Sequence, residues 1–109
     1  MDIFASEEKG KLVLCFSGEL EHHAARDVMH RADGLLDRYL PMECTLDLSG
    51  LRFMDSSGIA VILRLRRRMQ DVGGHLRVKD PPPQPLRVLD IAGVRRLVPI
   101  FVTEKELKA

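Results

Sequence analysis

Two adjacent serines, Ser56 and Ser57, stand between an aspartate and a glycine in the stretch Phe53-Met54-Asp55-Ser56-Ser57-Gly58-Ile59. Before it, Thr45-Leu46-Asp47-Leu48 alternates in polarity and reads as a strand. After it, apolar residues recur at Ile59, Ile62, Leu65, Met69 and Val72, the spacing of an amphipathic helix. A strand therefore runs through a short loop into a helix, and the serines lie at the helix mouth. Backbone N–H groups there lack intrahelical partners, so Asp and Ser oxygens are favoured as acceptors. The same N–H groups and the helix dipole favour an anion, a phosphate included. Asp55-Ser56-Ser57-Gly58 can thus be a plain cap, an anion pocket or a serine displayed for phosphorylation. Either serine can serve as the cap. If Ser56 does, its hydroxyl is engaged by the backbone, and Ser57 begins the helix with its hydroxyl free. Gly58 would then spare an approaching kinase any side-chain bulk.

Other reactive residues form no convincing catalytic set. His22 and His23 are neighbours on a helix, expected to diverge too far to share a metal, and neither has a partner at helical zinc-site spacing. No metal and no cofactor is expected. Ser57 and Asp55 with any histidine make a hydrolase triad on paper. The Gly-x-Ser-x-Gly elbow is absent, however, and a hydrolase sheet needs a longer chain. Glycines and lysines nowhere take P-loop spacing. In the basic run, Arg64, Arg67 and Arg68 lie opposite the apolar stripe as a solvated face, and Arg66 lies nearer its boundary. Asp47 reads as structural, accepting hydrogen bonds near the loop that follows.

The elements that must position these residues follow from periodicity. A short first strand (Ile3 to Ser6) turns at Lys9-Gly10 into Lys11–Phe16, apolar on both faces and ended by Gly18. A helix from Leu20 to Tyr39 buries Ala25, Val28, Ala32, Leu35, Leu36 and Tyr39. Strands Cys44–Leu48 and Leu76–Lys79 flank the Ile59–Val72 helix, which stops at Gly73-Gly74. A proline-rich loop, Asp80 to Pro85, leads to a helix over Leu86–Ile91 that ends at Gly93. A last strand, Val98–Val102, and a capped terminal helix from Thr103 to Leu107 complete the order β-β-α-β-α-β-α-β-α. Crossovers between parallel strands are right-handed. Polar residues alternate along the third and fourth strands, so the helices should cover mainly one sheet face. The expected fold is α/β, a mixed and mostly parallel sheet in one domain over residues 1–109.

Composition narrows the function classes. With 45% hydrophobic and 30% charged residues the chain is an ordinary globular one. Lys+Arg 17 against Asp+Glu 16 gives a formal charge of +1, without the basic excess of a nucleic-acid protein. Cys15 and Cys44 fall in apolar runs and read as buried, reduced thiols. The start of the chain lacks a signal-peptide pattern and charges interrupt every apolar segment, so a cytoplasmic protein is expected.

Three stretches together resemble the STAS family. They are Gly18-Glu19-Leu20-Glu21-His22-His23, Leu46-Asp47-Leu48 through Phe53-Met54-Asp55-Ser56-Ser57-Gly58, and Asp90-Ile91-Ala92-Gly93-Val94. More narrowly, they are similar to bacterial anti-sigma factor antagonists of the sporulation sigma-F type. The resemblance implies a β/α superhelix and a binding protein, not an enzyme. It implies that the unphosphorylated chain binds an anti-sigma factor that is also an ATP-dependent serine kinase, freeing a sigma factor. Phosphorylation of Ser57 would end the interaction and a serine phosphatase would restore it. Asp55, Ser56 and Gly58 match the motif around that serine, and His22 and His23 match a segment beside it. Glu21 stands where the family commonly has Asp, and Pro81 to Pro85 is richer in proline than usual. The expected partner surface comprises Glu21, His22, His23, Asp55, Ser56, Ser57, Gly58, Ile59, Asp90 and Gly93, on a chain that is monomeric when free. The alternative is a STAS signalling or sensor module in another stress-response assembly.

Overall fold

The computed structural model describes residues 1–103. Strand β1 (Asp2–Glu8) pairs antiparallel with β2 (Lys11–Leu20) through the Lys9-Gly10 turn. Both turn residues have positive φ (51° and 81°), which the tight hairpin requires. From β2 onward every neighbour is parallel: β3 (Glu43–Met54), β4 (His75–Lys79) and β5 (Ile100–Phe101) follow in the order β1-β2-β3-β4-β5. Helices α1 (His22–Tyr39), α2 (Ser56–Asp71) and α3 (Pro83–Ile91) make the crossovers, with a 3-10 turn at Val94–Arg96 before β5. When strand order matches chain order, right-handed crossovers place every helix on one face.

The register gives each sheet face a row of residues. Leu12, Leu14 and Phe16 of β2 point with Cys44, Leu46 and Leu48 of β3 and with Leu76 and Val78 of β4 into the helix-covered core. The other face carries Phe4, Cys15, Asp47, Lys79 and Phe101 side by side. Phe4 is 63% exposed there. The second face of β2, expected to be well covered, is therefore only half covered. Cys15 is half-buried, whereas Cys44 is buried, and both thiols are free. Burial pushes the Cys44 thiol up to about 12. The Cys15 thiol is raised by burial and then by Asp47, against a lowering by Lys79. Asp47 accepts from the Ser49 N–H at 2.9 Å, the structural role its sequence setting implied.

Several boundaries differ from the sequence reading. β2 continues past Gly18 to Leu20, because Gly18 takes φ +109° inside the strand. β3 continues past Leu48 to Met54, so no loop separates it from the serine stretch. In α1 the buried residues are Val28, Met29, Ala32 and Leu36, while Ala25, Leu35 and Tyr39 only flank the core. In α2, Val61 is buried, and Val72 lies past the last turn, 59% exposed. α3 begins at Pro83, three residues before Leu86, since prolines in a first turn cost no intrahelical hydrogen bond. β5 is two residues long, and Val98 is buried just before it. The helix expected from Thr103 to Leu107 lies outside the described residues.

Candidate functional site

Because β3 runs to Met54, the first residue free to cap α2 is Asp55. Its Oδ1 accepts from the Ser57 N–H at 2.8 Å and its Oδ2 from the His22 N–H at 3.1 Å. One carboxylate thus serves the N-termini of α2 and α1 together. The Asp55 N–H donates to the Leu20 carbonyl at 3.2 Å, tying the end of β2 to the same point. Glu21 caps α1 with both oxygens, accepting from the Ala24 and His23 N–H groups at 3.1 Å each. Its carboxylate thus caps its own helix with both oxygens engaged.

Neither serine is the cap. Ser56 is the first helical residue and is exposed; Ser57 is the second and is half-buried. Ser57 alone of the two lines a groove of about 470 Å³ between α1 and α2. Gly58 has a packing role that the sequence did not reveal. It is buried, and a Cβ there would stand 2.3 Å from Met54 Cγ and 2.7 Å from its Sδ. Gly58 therefore lets α2 close onto the end of β3. Ile59 is half-buried at the rim of the core.

The other foreseen residues divide. His22 and His23 are exposed beside Asp55, and their rings meet edge-on with centroids 5.5 Å apart instead of diverging. Asp90 and Gly93 lie at the far end of α3. Asp90 pairs with Arg95 at 3.1 Å and lines a separate depression with Arg87 and Pro83, not the Ser57 groove. Gly93, with φ +72°, makes the turn out of α3.

The basic run on α2 is not a plain solvated face. Arg68 reaches Asp33 at 3.1 Å and Asp37 at 2.6 Å on α1, and Arg64 stands 3.7 Å from Asp33. The hydrogen bond to Asp37 first, then that to Asp33, raises the Arg68 pKa. Arg66 donates to the Leu97 carbonyl at 3.0 Å. Gln84 was missed by sequence reasoning. Its side chain donates to the Met54 carbonyl and accepts from the Met54 N–H, at 2.9 Å each. β4 pairs with β3 only as far as Asp47, so Gln84 replaces a neighbouring strand at Met54. A glutamine among prolines is a weak signal for such a contact. The groove stripe Arg26, Met29, His30 and Asp33 was missed too, though its i, i+3, i+4, i+7 spacing was legible.

Fold and site define a small α/β module that displays serines where two helix N-termini meet. The chain belongs to the STAS domain family, whose model matches residues 3–107. It is 35% identical over 104 residues to the anti-sigma F factor antagonist of Paenibacillus polymyxa, covering 95% of this chain and 89% of that protein. The fold is similar to that of the anti-sigma factor antagonist SpoIIAA in its unphosphorylated form. There the TM-score is 0.80 at 23% identity, over 98% of this chain and 93% of the other. The phosphorylated form of the Bacillus cell fate determinant SpoIIAA superposes with a TM-score of 0.72 at 23% identity, over 98% of this chain and 96% of that one. Among the described residues no helix is long and apolar enough to cross a membrane.

Proposed function

We propose that this chain is an anti-sigma factor antagonist, a binding protein rather than an enzyme. In this reading it captures an anti-sigma factor with serine-kinase activity and so frees a sigma factor. Phosphorylation of Ser57 ends the capture, and a serine phosphatase reverses it. The observation that carries the reading is Ser57 on the second residue of α2, with its N–H held by Asp55, lining the α1–α2 groove. The 35% identity to an anti-sigma F factor antagonist supports it. The cap leaves the hydroxyls of both serines out, so accessibility alone would favour the more exposed Ser56. Ser57 is distinguished by the groove, where a kinase active site can press between two helices beside Arg26 and His30.

The test is a pull-down of the candidate anti-sigma kinase with and without ATP, using wild type, Ser56→Ala and Ser57→Ala. Wild type and Ser56→Ala should bind without ATP, take up phosphate with it and then release. Ser57→Ala should stay bound and unlabelled. Phosphate uptake by Ser57→Ala equal to wild type would sink the assignment.

A further inference from the structure

The groove beside Ser57 has walls of opposite character to the cap. On α2, Ser57, Ala60 and Arg64 share one stripe; on α1, Arg26, His30 and Asp33 share the facing one. Two guanidinium groups and an imidazole thus face a single carboxylate. That carboxylate is committed elsewhere: Asp33 holds Arg68 at 3.1 Å, while its approach to Arg64 is a looser 3.7 Å. Arg26 and His30 have no ion-pair partner among the described residues. A cationic slot of this kind, closed on one side by a modifiable hydroxyl, is chemically suited to a phosphomonoester dianion.

We propose that the phosphate on Ser57 is bound within the same molecule, by Arg26 and Arg64 with His30 beside them, as a clamp across the α1–α2 groove. The inference rests on the Ser57 reading above and adds what becomes of the phosphate. The reach is adequate. Arg64 lies two helical turns beyond Ser57, about 10 Å along the axis. Helical side chains lean toward the N-terminus, so Arg64, once released from its 3.7 Å approach to Asp33, can extend back toward Ser57. Ala60, between them, offers only a methyl group. Arg26 sits one turn after His22, whose N–H shares the Asp55 carboxylate with the Ser57 N–H, so α1 faces Ser57 at that level. Planar guanidinium forks match phosphate oxygens in pairs, which an ammonium cannot do. When Arg64 turns to the phosphate, Asp33 keeps Arg68. The clamp thus consumes the groove's positive charge as it adds negative charge, so the modified face differs from the free one in both respects.

Phosphoserine installed during translation at position 57, and separately at position 56, tests the clamp without any kinase. By phosphorus NMR, the second ionisation of an unconstrained phosphoserine lies at about pH 6. At position 57 it should fall by about one unit, and it should stay ordinary at position 56. The Arg26 and Arg64 Nε–H resonances should move only for the position-57 form. Arg26→Gln with Arg64→Gln should abolish most of this downward shift in ionisation, and Arg26→Lys with Arg64→Lys should abolish only part of it. Identical ionisation at positions 57 and 56, or no response to the glutamine pair in a protein with an unchanged melting curve, would overturn the clamp. A kinase that ignores Ser57 would instead overturn the switch proposed above and leave this measurement standing.

Discussion

A single carboxylate joins two helices at Asp55, so its removal should cost more than an ordinary cap. Asp55→Ala leaves the Ser57 and His22 N–H groups without their acceptor. Losing the α2 cap costs about 0.5–2 kcal/mol. Losing the His22 bond adds about 1 kcal/mol. Asn at this position keeps one acceptor oxygen and turns the other into a donor, so Asp55→Asn should fall between alanine and wild type. Urea titrations of the three proteins check this, and equal stability for Asn and Ala would contradict the two-helix role. Gly58 makes a second residue-scale case. The Cβ of Gly58→Ala meets Met54 at its Cγ, near the root of that side chain, where little can swing away. Overpacking of this kind costs about 1–3 kcal/mol. Shortening Met54 to alanine should relieve it, so the double variant should lose less stability than the sum of the two singles. Simple additivity would mean that the clash is absorbed elsewhere.

At the scale of elements, Gln84 fastens α3 to the last residue of β3, one position before Asp55. Gln84→Ala strands both backbone groups of Met54, at about 1–3 kcal/mol. Gln84→Glu keeps an acceptor for the Met54 N–H but loses the donor to its carbonyl. Amide exchange at Met54 should therefore quicken strongly in the alanine variant and less in the glutamate one. Unchanged exchange in both would show that α3 docks without this residue. The sequence pattern did reveal the helix-after-strand arrangement and the one-sided placement of helices. It misplaced the strand end for a physical reason. Between Cys15/Asp47 and Ser17/Gly50, β3 uses three residues where β2 uses two, and the register slips again between Gly18 and Glu19. Such bulges break the period of two. The buried positions then become Leu48, Leu51 and Met54, and strict alternation stops at Leu48. With the strand end hidden, three oxygen-bearing residues competed as the cap, and nothing local ranked Asp55 over the serines. Arg64 and Arg68 were misjudged similarly. A single helix's apolar stripe does not report the acidic face of its neighbour, where Asp33 and Asp37 wait on α1.

For the whole molecule, the question is whether a phosphate at Ser57 could refold it. One core spans all three helices and the sheet, and the radius of gyration is 12.9 Å. A compact domain of this length has about 13 Å. Helices α1 and α2 are fixed to each other by Asp55 at one end and by Arg68 with Asp33 and Asp37 further along. Among the described residues, nothing in this arrangement is a loosely held element with two packings that added charge could tip. A phosphoserine brings about −1.5 to −2 charges at neutral pH. It meets the repulsion of Asp55 and Glu21, but also two helix N-termini, each favourable by about 0.3–1 kcal/mol when exposed, and the groove arginines. The free protein should therefore keep its fold, with a melting temperature no lower than that of the unmodified form. A partner closed over Ser57 would instead bury the phosphate together with the arginines that hold it, and each ion taken out of water costs several kcal/mol unless the partner replaces its hydration. A net penalty of about 3 kcal/mol corresponds to a loss of about a hundredfold in affinity. We predict that phosphate blocks the partner by occupying the surface, not by moving the scaffold. Amide spectra of the two forms decide. Shifts confined to the first turns of α2 and the facing stripe of α1, with the sheet silent, fit a surface block. Shifts spread through β1, β4 and β5, or a melting temperature that drops by several degrees, would require a conformational switch instead.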